Sequence, residues 1–155
     1  MPGSWPPHEL PGLTDSTCRV TSPYDTTYNC IAWAANTNSR WWWPDQMGVG
    51  YWPIAERETT VGCFVKAFEA LGYRICLSGA LEEGIEKVAI FGQKAQDGSA
   101  IPTHAALQLQ NGEWTSKLGA FEDIVHSDVN AVNGPVYGRP LVFMSRPRQS
   151  NDSRS

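Results

Sequence analysis

Tyr28-Asn29-Cys30-Ile31-Ala32-Trp33-Ala34 is the stretch on which the fold and the chemistry turn. Asn29 is a good helix cap, because its side-chain oxygen can accept a hydrogen bond from a free N–H of the first turn. Small and apolar residues follow, so a short helix from about residue 30 to 36 is predicted. The polar run Asn36-Thr37-Asn38-Ser39 ends it. Cys30 is then the first helical residue. Free N–H groups and the helix dipole favour an anion there, which activates a thiol and can also hold an oxyanion. The bland alternative is a buried core cysteine, since free Cys is among the most buried residue types.

Downstream, Val61, Phe64, Val65, Phe68 and Leu71 fall at helical spacing and predict a helix over 59–71. Thr59 or Thr60 can cap it, and Gly72 suits its left-handed end. Strands are expected over 73–77, 87–91, 104–109, 114–117 and 139–145. Asn111-Gly112 between two of them is a strong hairpin signal. Helices first and antiparallel strands after give an α+β fold. Residues 1–26 read as an irregular arm packed through Trp5 and Leu10, 27–146 as one domain, and 147–155 as a disordered tail. Residues 40–53, rich in Trp and Pro, read as an ordered loop over the body.

A nucleophilic Cys needs a base close in space. His104, followed by the small Ala105 and Ala106, is expected to start a strand near a sheet edge and is the preferred base. His126 is the rival, and His8 lies in the arm. If the hairpin returns the chain past His104, Ser116 is the candidate that orients the ring, because Lys117 cannot accept a hydrogen bond. Asp123, in the expected following turn, could supply a charge instead. Either residue could simply cap a turn. Asn29, Trp33, Trp42 and Trp43 are the candidate substrate-binding residues. The run 41–43 could stack on a sugar or base, although such clusters more often fold over a core. Glu82, Glu83 and Glu86 have the spacing of a solvated face rather than of paired catalytic carboxylates.

Composition narrows the partners. With 16 acidic and 12 basic residues the net charge is −4, which gives no electrostatic support for nucleic-acid binding. No apolar run approaches the roughly 20 residues that span a bilayer. The opening residues lack a basic-then-apolar signal pattern, so a cytoplasmic protein is expected, with delivery by a dedicated secretion system as the alternative. The four cysteines show no CxxC pair and the three histidines are scattered, so neither metal nor cofactor is expected.

Cys30 at a helix start, with His104-Ala-Ala-Leu-Gln-Leu-Gln-Asn111-Gly112 ahead of a polar strand, resembles the papain-like superfamily, and within it the NlpC/P60 group of cysteine peptidases and amidases. That resemblance implies a Cys-bearing helix packed on an antiparallel sheet, an amide in a peptide or protein as substrate, and a third residue at Ser116. The group usually has His or Asn at that position. It also usually flanks the Cys with Asp or Ser, where this chain has Asn29 and Ile31. Asn29-Cys30 through Trp33-Ala34, Thr103-His104-Ala105-Ala106 and Trp114-Thr115-Ser116-Lys117-Leu118-Gly119 also look like an uncharacterised bacterial domain family, which implies no particular activity. The expected function is a cysteine hydrolase acting on an amide. The alternative is a non-catalytic binding or immunity-type protein on the same scaffold.

Overall fold

The computed structural model describes residues 3, 5–22, 27–37, 39–118 and 122–148. Its elements run β1 (Cys18–Ser22), α1 (Cys30–Ala34), α2 (Val61–Ala70), β2 (Arg74–Cys76), β3 (Ile85–Lys94), β4 (Ala100–Gln108), β5 (Trp114–Lys117), β6 (Asp123–His126) and β7 (Arg139–Pro147), with a turn of 3₁₀ helix at Val129–Val132 before β7. The strands form one antiparallel sheet in the order β1-β6-β5-β4-β3-β7-β2. The α+β expectation therefore stands. No helix among the described residues is long and apolar enough to cross a membrane.

Register explains which side chains meet. Ile90 pairs with Ala105 and Val88 with Leu107, which puts these four on one face. There they pack with α1 and α2 through Ile31, Ala32, Phe64 and Phe68. Phe91 pairs with His104 and Ala89 with Ala106 on the opposite face. Trp5, Leu10, Leu13, Ala131 and Val132 cover that side. A sheet buried on both faces reads as continuous apolar runs rather than alternation, as in Val88-Ala89-Ile90-Phe91.

Three expectations change. The arm over 1–26 is not wholly irregular: it contributes β1, paired with β6. Asp123 opens strand β6 instead of lying in a turn. His104 does not start a strand at a sheet edge. It lies inside β4, the central strand of the seven, and is fully buried. Pro102 made the approach look like a turn. β4 accommodates it at a bulge, because Phe91 pairs with His104 while Gly92 pairs with Pro102, leaving Thr103 as the extra residue. As for the tail, Pro147 ends β7 and Arg148 donates to the Gly84 carbonyl, while 149–155 lie outside the described residues.

The helices follow their caps. Asn29 Oδ1 accepts from Ala32 N, and Thr60 Oγ1 accepts from Cys63 N at 3.1 Å. Thr60→Ala should cost about 1 kcal/mol, read as a lower urea midpoint with an unchanged slope. The long loop is ordered, as expected. Trp43 N donates to Tyr51 O, Asp45 takes Val49 N and Gly50 N, and the Trp43 and Trp52 rings lie 5.4 and 5.0 Å from Phe64.

Candidate functional site

α1 delivers Cys30 to a cavity of about 310 Å³ lined by Asn29, Cys30, Trp41, Trp43, Thr103 and Tyr137. The lining carries no formally charged side chain, so it suits an uncharged group. Cys30 is 6% exposed. Burial pushes its thiol up to about 11, against the pull of main-chain N–H groups of Ala105, Ile31 and Cys30 and of the Lys117 charge. At neutral pH the sulfur is therefore a thiol.

His104 adjoins Thr103 of the cavity lining, and its ring stacks on Tyr137 at 4.0 Å. Nε2 lies 3.0 Å from Ser116 Oγ, which lies 2.8 Å from His126 Nε2. His126 Nδ1 lies 2.8 Å from the Asp128 carbonyl oxygen. The two histidines set against each other in the sequence thus share one serine. Burial holds His104 well below the ordinary imidazole range, and His126 adds to that depression. His104 Nδ1 has no hydrogen-bond partner among the described residues, so none joins it to the Cys30 sulfur. Strand alternation accounts for the separation. His104 points to the Phe91 side of the sheet, and Cys30 packs on the Ala105 side.

The other candidates sort by face. Ser116 meets His104. Asp123 pairs with Lys117 in register and lies on the helix side, where its carboxylate accepts from Ser22 and Tyr28. It does not reach the histidine chain in the described contacts. Asn29 and Trp43 line the cavity. Trp42 is buried in the core and does not, and the Trp33 indole N–H is committed to Thr115 Oγ1 at 2.9 Å. Sequence reasoning missed Thr103 and Tyr137 as cavity walls, and Trp41 rather than Trp42 lines the cavity. Trp41 was within reach of the reading as part of the 41–43 run. Nothing local in Val136-Tyr137-Gly138 announces a long-range contact.

Comparison with curated proteins and with solved structures gives no match. A family model does match residues 19–145, from β1 into β7, and spans Cys30, His104, Ser116 and His126. The chain belongs to the family described as Domain of unknown function (DUF7689).

Proposed function

We propose that the protein is a cysteine hydrolase of papain-like, NlpC/P60-like architecture that cleaves or transfers an amide, with Cys30 as nucleophile and His104 as base. The observation that carries it is the coincidence of an uncharged cavity at the Cys30 sulfur with a neutral histidine, on the adjoining strand, whose one ring nitrogen is bonded and whose other is free. Cys30 sulfur attacks the amide carbonyl as its proton passes to His104 Nδ1, and the Cys30 N–H helps to hold the oxyanion. His104 returns the proton to the departing amine, leaving a thioester that water cleaves. The thiol and the neutral ring mean that the proton moves during attack, not before it. In the resting site the ring and the sulfur lie on opposite faces of β4, so this role requires substrate binding to bring them together. Substrates are peptides or protein side-chain amides.

The same open nitrogen, with Tyr137 stacked on His104, favours a second reading: a binding protein on this scaffold that accepts an uncharged group beside Trp41 and Trp43.

Labelling separates the two. A chloroacetamide-capped peptide should alkylate Cys30 ahead of Cys18, Cys63 and Cys76, mapped by mass spectrometry on folded protein. Preference for another cysteine would sink the hydrolase reading. With iodoacetamide, the Cys30 rate should keep climbing from pH 8 through 10 instead of levelling near 9, because its thiolate forms only around pH 11.

A further inference from the structure

A serine hydroxyl is both donor and acceptor, so Ser116 alone cannot dictate where His104 carries its proton. The neighbours of Ser116 can. The Asp128 carbonyl only accepts, so His126 Nδ1, 2.8 Å away, is the N–H donor. Burial lowers His126 to about 4, against the pull of the Asp128 carbonyl and the Asp128 and Glu113 charges, so the ring is neutral with one proton. His126 Nε2 is therefore a bare acceptor. Ser116 spends its only hydrogen on it at 2.8 Å. The serine oxygen can then only accept from His104 Nε2 at 3.0 Å. His104 is left with its proton on Nε2 and a lone pair on buried Nδ1.

We propose that His126 is a positioning residue acting through Ser116: the chain Asp128 carbonyl, His126, Ser116 locks His104 as the Nε2–H tautomer and keeps Nδ1 bare to take a proton. The use made of that nitrogen rests on the hydrolase reading; the lock does not. When Nδ1 gains the Cys30 proton, the S–H bond breaks and an N–H bond forms. The His104 Nε2 proton can then pass to Ser116 as the Ser116 proton passes to His126 Nε2. The positive charge comes to rest on His126, still donating to the Asp128 carbonyl and near the carboxylates of Asp128 and Glu113. Reversal returns the proton for the leaving amine. The arrangement explains how serine can stand where a stronger acceptor is usual: the second histidine supplies the direction that a hydroxyl lacks.

Long-range ¹H–¹⁵N correlation of the histidine rings tests this on the full chain at pH 7, with each ring assigned by substitution. His104 should show the Nε2–H pattern and His126 the Nδ1–H pattern. His126→Phe keeps a ring but deletes the acceptor. Ser116 then donates to His104 Nε2, and His104 should switch to Nδ1–H. His126→Gln, whose Oε1 can accept in place of Nε2, should retain Nε2–H. Should the phenylalanine variant fail to fold, Ser116→Ala serves, and His104 should then populate both tautomers. Finding Nδ1–H on His104 in the native protein, or one tautomer in all variants, overturns the lock. Chloroacetamide alkylation of Cys30 should slow about tenfold in His126→Phe and recover in His126→Gln. Tautomers that switch while that rate holds would preserve the lock and refute the hydrolase reading.

Discussion

Cys30→Ser should cut amide turnover by at least about 10³-fold, with little change in thermal stability. The hydroxyl nearly matches the thiol in size, and its site already holds main-chain donors from Ala105 and Ile31, so the fold loses little. Chemistry loses much more. A serine proton is far harder to remove, and the base facing the task is a weak one: burial keeps His104 well below the usual imidazole range. A polarisable thiol can give its proton to such a base as the C–S bond forms, whereas a hydroxyl is a much poorer nucleophile under the same conditions. His104→Ala should lower turnover by about 10²- to 10⁴-fold, but it also opens a hole against Phe91 and Tyr137. The serine variant is therefore the cleaner test. Ammonia or amine release over a panel of peptides and glutamine and asparagine side-chain amides provides the readout. Turnover in Cys30→Ser within tenfold of native would remove Cys30 from the reaction. The depressed His104 also fixes the sign of the acid limb. A base with lowered pKa stays unprotonated as pH falls through 6.5, so the acid limb of activity should lie below the pH at which an ordinary imidazole titrates.

The sequence was most informative where one residue settles a local choice. Asn29 caps the helix it was expected to begin, and of Thr59 and Thr60 it is Thr60 that caps the second, since a short acceptor beside free N–H groups has few other uses. Gly112 takes φ +90 in the turn of the expected hairpin. What escaped the reading depends on faces and on long-range register. A strand residue points up or down according to bulges elsewhere, so His104 could be named from its neighbours while its side of the sheet could not. The Thr103 bulge lies among residues that look like a turn, and it changes which residues oppose Phe91 and Gly92. Ser116 against Asp123 was likewise a question of parity. Their strands pair so that Ser116 meets Ile124 and Lys117 meets Asp123, which puts the serine with His104 and the carboxylate beneath α1. His126 looked like a competitor because a lone histidine carries no sign of the company it keeps. Trp41 and Trp42, adjacent in sequence, take opposite fates because Trp42 turns inward to pack on Tyr51, 4.8 Å away, while Trp41 faces the cavity.

Asn29→Ala should destabilise the protein by about 3 kcal/mol, well beyond an ordinary cap. The reason is that one buried amide serves two segments. Its Oδ1 accepts from Ala32 N at 3.2 Å and from Trp42 N at 3.0 Å, and its Nδ2 donates to Trp42 O at 2.7 Å. Losing the cap accounts for about 1 kcal/mol. Leaving the Trp42 N–H and C=O without their partner adds roughly 1 kcal/mol or more for each, since buried backbone groups must be satisfied. For a chain of this size the loss corresponds to a melting point lower by about 6–12 °C. The same contact joins structure to chemistry. Asn29 ties the Trp-rich loop to the start of α1, and Trp41 and Trp43 of that loop wall the cavity beside Cys30. Asn29→Asp bears on both duties. It keeps both acceptor contacts but sets a buried carboxylate oxygen against the Trp42 carbonyl, so its stability loss should be at least as large as that of Asn29→Ala. Its negative charge, one residue before Cys30, would oppose thiolate formation, so Cys30 alkylation in the folded protein should slow as well. A loss of only about 1 kcal/mol in Asn29→Ala would mean that the loop holds its place through the packing of Trp43 and Trp52 on Phe64 alone. A loss near 3 with slowed alkylation in Asn29→Asp would assign to this one side chain both the closure of the cavity and the poise of its thiol.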